Sequence, residues 1–185
     1  NSCGYHMKPW EHLPSSSDNL QSYQPPQREE RRQLRYLDPE WVASCSGNNP
    51  FVEWIRRQYG AAALELVNDQ FDLGTYSIGN VPCVVFWQTD IEGNVHTGKA
   101  MTYEVVNGQL RRTKGRTARF AWMHNKSPLP LQEGEWMQQF FGLRQLRDAD
   151  KPVAVVESEK TAILASLHFP EWIWLATAGS SNLTA

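Results

Sequence analysis

The sequence predicts an α+β protein: a helical N-terminal part, a small antiparallel sheet, then an incomplete α/β (βαβ) unit. Three observations predict it. Asp38-Pro39 and Asn49-Pro50 are two helix starts in close succession, each a capping residue followed by the residue best suited to the first helical position. From Val81 onward the chain turns β-branched and aromatic, with turn residues between the runs, and Asn107-Gly108 is a strong hairpin signal. Later, residues 153–156 and 173–176 are short apolar runs flanking an amphipathic stretch, the pattern of a right-handed βαβ crossover.

Residues 1–37 are poor in apolar periodicity, and Ser15-Ser16-Ser17 and Pro25-Pro26 mark them as a linker or arm. Residues 27–35 are densely charged and read as a solvated helix or a disordered arm. The first helix starts at Asp38, carries Trp41 and Val42, and ends near Gly47. The second starts at Asn49; Phe51, Trp54, Ile55 and Tyr59 recur at helical spacing and Gly60 stops it. Residues 61–68 make a third, short helix.

Strands follow at 84–88, at 95–105 after a turn over 90–94, and at 110–114, with Asn107-Gly108 joining the last two. A meander of antiparallel strands is the economical reading. Residues 128–134 read as loop, and 135–146 as a helix with Trp136, Phe140 and Leu143 on one side. The continuous apolar run 153–156, bounded by Pro152 and Glu157, reads as a buried parallel strand. A helix over 159–169 and a strand over 173–176 complete the unit, and Gly179 follows. Residues 1–37 are thus an arm, 38–150 the main α+β part, and 151–185 the start of an α/β domain.

Bulk properties exclude several function classes. A net charge of −2 gives no overall attraction to nucleic acid, so any such affinity must come from a local patch. No apolar run approaches the roughly 20 residues of a membrane helix, and no signal peptide opens the chain. Cys3, Cys45 and Cys83 are widely spaced, which suggests a reducing compartment and a cytoplasmic location. The chain does not start with Met, and it reads as a piece of a longer protein.

Glu157 falls where a parallel strand ends and a helix begins. Ligands and metals gather at such strand ends, and a carboxylate there suits Mg²⁺ or general-base work. The competing reading is a helix cap on the positive end of the dipole. Lys99, Arg111, Arg112, Lys114, Arg116, Arg119 and Lys126 form a basic stretch with Tyr103, Phe120, Trp122 and His124 among them. Cations for phosphates beside aromatics for stacking suit single-stranded nucleic acid; the bland reading is a solvated strand face with the rings turned into the core. Cys3 and His6 are a Cys-x-x-His pair, spacing that supplies two zinc ligands or is an ordinary tail. No G-x-x-x-x-G-K-[ST] loop occurs, which argues against a helicase-type ATPase.

The segment VAVVESEKTAILAS, followed by WLATAGSSNLT, resembles the opening of the toprim domain of bacterial primases and topoisomerases. Glu157 matches that family's catalytic glutamate, and Ser158 stands where bacterial primases usually have Gly. Ala176-Thr177-Ala178-Gly179 resembles the Ala-Thr-x-Gly loop after their second strand. The pair of aspartates on the family's next strand has no counterpart up to Ala185. Upstream, Asp90 to Gly93 resembles the D-x-x-G turn of replicative primases. Residues 121–125 stand loosely in place of their K-Y-x-N-S motif, and Phe141-Gly142-Leu143 resembles their L-Y-G-L motif. TGKAMTY and VESEKTAILAS are similar to uncharacterised toprim-type proteins of bacterial mobile elements.

The resemblance implies a primase-like parent that joins nucleotides on single-stranded DNA, with Mg²⁺ held by Glu157 and by partners beyond Ala185. It also implies that the basic stretch lines the template groove, and that Cys3 and His6 are the remnant of a Zn²⁺ finger. The fragment alone would then be inactive. A nucleic-acid-binding module that kept the toprim frame without the chemistry, or an interaction domain of unknown partner, are the other readings.

Overall fold

Side-chain caps start the first two helices, as the sequence predicts. The computed structural model describes residues 34–128, 134–148 and 150–179. In it Asp38 accepts a hydrogen bond from the Trp41 amide at 2.8 Å and opens α1 (Pro39–Ser44). Asn49 caps α2 (Pro50–Tyr59), its Oδ1 accepting from the amides of Phe51 and Val52. The Asn49 Nδ2 donates to Thr75 Oγ1 at 2.8 Å, so the cap also fastens α2 to the first strand. Gly60 separates α2 from α3 (Ala61–Phe71). Phe51, Val52 and Ile55 of α2, with Leu64, Val67 and Phe71 of α3, are buried. Their spacing of three and four residues puts each set on one helix face.

The fold is α+β. The main sheet holds β1 (Leu73–Ile78), β2 (Val81–Thr89), β3 (Val95–Met101) and β6 (Phe120–Trp122), in that spatial order and all antiparallel. The sequence pattern misses β1, because Gly74 and Ser77 are poor strand formers. Gly74 is there for space: a Cβ on it would lie 2.5 Å from Nε1 of Trp87. Gly98, directly across from Trp87, would place a Cβ 2.5 Å from the same indole. The ring fills the volume that two side chains vacate.

The strand expected over 95–105 is two strands. At Thr102 the chain leaves the main sheet: the Thr102 Oγ1 accepts from the Arg119 amide at 2.8 Å, and β6 takes the place beside β3. Beyond the break, β4 (Tyr103–Val106) and β5 (Gln109–Arg112) form a separate two-stranded ribbon. Its turn has Asn107 and Gly108 both at positive φ, the backbone that this dipeptide favours. The Trp54 indole donates to the Gly108 carbonyl at 2.8 Å and pins the ribbon to α2.

The helix expected over 135–146 does not form. Only Leu143–Asp148 is helical, as a 3₁₀ turn. Neighbouring segments take the backbone groups a helix would need: Arg35 donates to the Glu135 carbonyl, Phe141 and Ala176 exchange backbone bonds, and the Gln139 amide donates to Gln88. Tertiary pairing overrides the helical periodicity.

The βαβ unit is present: β7 (Val153–Val156) and β8 (Ile173–Ala176) pair in parallel, joined by α4 (Glu159–His168). Val153 and Val155 are close to half exposed, so β7 is not the fully buried strand the apolar run suggests. Among the described residues it has β8 as its one strand partner. One core joins α2, α3, β2, Phe141, Ala162, Ile163 and Ala176; a second, containing Cys45, Cys83, Val85, Trp87 and Met123, fills the other face of the sheet. No helix among the described residues is long and apolar enough to cross a membrane.

The turn between β2 and β3 is organised by one carboxylate. Asp90 accepts from the amides of Glu92 and Asn94 at 3.0 and 2.8 Å, and meets Nε2 of buried His96 at 3.0 Å. Burial pushes the Asp90 carboxyl up, but the Asn94 amide and side chain and the His96 ring together hold it below the usual carboxylate range. A depressed folded-state pKa stabilises above the unfolded value of about 4 and is lost as pH falls through the folded one. Asp90→Asn is therefore expected to lower the urea midpoint at neutral pH and to flatten its decline below about pH 4; a decline as steep as in the parent would assign that acid sensitivity to another group.

Candidate functional site

The carboxyl ends of β7 and β8 lie side by side. The Thr177 amide donates to the Val156 carbonyl at 3.0 Å, which sets the loop 177–179 against Glu157. Ala178 in that loop has φ 61° and is buried, a left-handed backbone that costs a residue with a Cβ. Glu157 is exposed and its side chain has no hydrogen-bond or ion-pair partner among the described residues. The cap of α4 is Ser158, whose Oγ accepts from the Thr161 amide at 3.2 Å. The capping role that the sequence left open for Glu157 thus falls to its neighbour. Glu157 instead lines a cavity of about 320 Å³ with Lys99, Tyr103, Arg112 and Gly179.

Glu159 is the residue that sequence reasoning missed. It is buried, and its Oε1 meets Nζ of Lys99 at 2.9 Å; the same Nζ donates to the Ala178 carbonyl at 2.9 Å. A glutamate in the first turn of a helix looks ordinary in sequence, and nothing local signals its partner. Lys99 therefore departs from the expected basic surface. Its ammonium is held inside by a buried carboxylate and a carbonyl, because a buried charge needs both neutralisation and hydrogen bonds. Tyr103 also departs from expectation, since its ring packs on Phe51 and Phe86 and does not face solvent. Burial, and next the Glu159 charge, push its hydroxyl far above the ordinary tyrosine value.

The remaining cations behave as a surface strip. Arg111 and Arg112 on β5, then Lys114, Arg116 and Lys126, are exposed. Arg119 is half-buried and donates to the carbonyls of Arg116 and Ala118. None of the six pairs with a carboxylate among the described residues, and the sequence has no Asp or Glu between Glu104 and Glu133. Nζ of Lys160 donates to the Leu110 carbonyl at 3.3 Å. That contact ties the start of α4 to β5, so the strip reaches the cavity at Arg112.

Beside the cavity runs β6. Its Trp122 is the cross-strand partner of Lys99, and Phe120 that of Met101. Phe120 is 47% exposed. His124 follows, its Nδ1 2.7 Å from Thr97 Oγ1, and burial holds its pKa below the usual histidine value.

The described residues do not by themselves fit a Mg²⁺ site. Glu157 is one available carboxylate, Glu159 is neutralised by Lys99, and no group of three His, Cys, Asp or Glu among the described residues could hold a metal. Cys3 and His6, the expected zinc remnant, lie outside the described residues.

A family model described as "Domain of unknown function (DUF6371)" matches residues 49–185. The chain belongs to this family. The DUF6371 match starts at the Asn49 cap and takes in the sheet, the cation strip and Glu157. Neither the curated proteins nor the solved structures yield a match.

The Lys99–Glu159 pair carries a stability prediction for the DUF6371 fold. Its side chains are 13% and 4% exposed. Removing one member of such a pair leaves the other charge buried, at a cost of about 3–5 kcal/mol. Lys99→Met should lose about that much in urea unfolding, and Lys99→Met/Glu159→Leu clearly less. A double variant as unstable as the single one would show that the charge pairing is not what matters here.

Proposed function

We propose that this chain is the single-strand-handling part of a primase-like protein, in which nucleotides are joined on a single-stranded DNA template. One observation carries the reading: Arg112, the inner end of a cation strip with no carboxylate partners among the described residues, lines the same cavity as Glu157. A phosphodiester backbone following the strip is thereby led to an exposed carboxylate at the carboxyl edge of a parallel strand pair, where reacting groups collect in α/β sheets. In the longer protein that this reading implies, the reaction is nucleotidyl transfer: a 3′-hydroxyl attacks the α-phosphorus of a nucleoside triphosphate and pyrophosphate leaves. Glu157 is free to accept a hydrogen bond, or a proton, from the attacking hydroxyl. A Mg²⁺ for that chemistry would need ligands besides Glu157. A cytoplasmic location accords with Cys45 and Cys83, which are buried free thiols.

The second reading is a nucleic-acid-binding module that keeps the frame without the chemistry. It is favoured by the neutralisation of Glu159, which leaves Glu157 as a lone carboxylate in the cavity.

Binding to single-stranded DNA tests both. Each phosphate contact on a single strand contributes about 0.7 to the slope of log affinity against log salt. Replacing Arg111, Arg112 and Lys114 by Ala should reduce that slope by about 2, and a slope that does not move would place the nucleic acid elsewhere. Glu157→Gln then separates the readings, because an exposed side chain with no partner contributes little to stability. The longer protein should lose primer synthesis while the melting temperature stays put; undiminished synthesis would remove Glu157 from the mechanism.

A further inference from the structure

We infer that β6 and the segments beside it form a stacking platform for the unpaired bases of the bound strand, one strand away from the Glu157 cavity. The inference rests on the nucleic-acid reading above and adds where the bases go and why a single strand is preferred to a duplex.

Four rings from two separate segments make one column. Phe120 meets Trp122 edge to face at 5.8 Å between centroids; Trp122 lies over His124 at 6.1 Å and 21°; His124 lies over Trp136 at 5.3 Å and 26°. The Arg35 guanidinium caps the far end, 5.9 Å from the Trp136 ring. Trp136 and Arg35 belong to this column only in three dimensions, through the backbone pairing of Arg35 with Glu135.

Register fixes which way the column faces. Residues directly opposite in an antiparallel pair share a sheet face. Phe120 is opposite Met101 and Trp122 is opposite Lys99, and both Met101 and Lys99 line the Glu157 cavity. The first two rings therefore continue the floor of that cavity. Thr97, on the same face two residues before Lys99, holds His124 in line.

Aromatic columns at a sheet edge are often simple packing, and Trp136 does pack against the second core. Three features go beyond packing. Phe120 leaves nearly half its surface in water. Arg116 and Arg119 precede it and Lys126 follows the column's third ring, all without a carboxylate partner among the described residues. Phe120 and Trp122, the exposed end of the column, share one sheet face with the cavity. Rings for bases, flanked by cations for phosphates, suit a flexible single strand, whose base faces are open. A duplex keeps its base faces stacked on each other and offers the rings nothing.

The experiment compares three ligands on the whole chain: oligo-dT, an abasic deoxyribose-phosphate oligomer of equal length, and a duplex. Phe120→Ala should weaken oligo-dT binding roughly 5- to 150-fold, the range for loss of one base–aromatic stack. The abasic and duplex affinities should be unchanged, and Phe120→Trp should retain tight oligo-dT binding. Phe120→Leu keeps apolar bulk without a ring and should bind oligo-dT like the Ala variant, while melting like the parent. Equal losses on oligo-dT and abasic oligomer, or no loss on either, would overturn the stacking inference. If the cation substitutions weaken binding while Phe120→Ala does not, the platform is refuted and the nucleic-acid reading stands. If the parent chain binds none of the three ligands, both fall together.

Discussion

The buried pair of Lys99 and Glu159 is the contact on which the arrangement of the site depends. It joins three pieces with separate origins in the chain: the main sheet through β3, the start of α4, and the loop after β8 through the Ala178 carbonyl. Without it α4 could still pack by Ala162 and Ile163, but apolar packing is tolerant of small rotations, and a charge-assisted hydrogen bond is not. The pair therefore fixes where Glu157, two residues before Glu159, sits relative to the sheet. It also consumes two charges that sequence inspection would assign to surface or catalytic work. In the site Lys99 and Glu159 neutralise each other, while Glu157 and Arg112 have no ion-pair partner among the described residues.

Electrostatics sorts the other charges in the same way. Lys99, held under the sheet face, is matched by Glu159; the cations on the ribbon and the turn after it form no salt bridge among the described residues. A strip that forms no salt bridge among the described residues, on a chain of net charge −2, is a local feature that bulk composition hides. The repulsion within it is modest because the side chains are solvated and screened, so the strip can stay unmatched at little cost to folding until a polyanion binds.

Much of the fold was legible in the sequence where the governing physics is local. Asp38 and Asn49 act within three residues of themselves, and Asn107-Gly108 fixes its own turn. The βαβ unit followed from apolar runs of the right length. What failed was decided at long range. The strand at 73–78 is specified by the Trp87 ring that needs its glycine. The break at Thr102 depends on Arg119, and the helical pattern at 135–146 lost to hydrogen bonds with Arg35, Gln88 and Ala176. The site divides likewise. The position of Glu157 and the cation stretch could be read off the chain, whereas the withdrawal of Lys99 needed a carboxylate sixty residues away. Trp136 joined the ring column only because an irregular segment brought it there.

The indole of Trp87 lies against two glycines on the strands to either side, each so close that a single added carbon would collide with it. No smaller ring at 87 would fill that slot, and no larger residue at 74 or 98 would leave it open. The three positions are therefore one inheritable unit. Among descendants of this chain, Gly74, Trp87 and Gly98 should either persist as a set or be exchanged as a set, since every single-step route between the two states passes through a clash or a void.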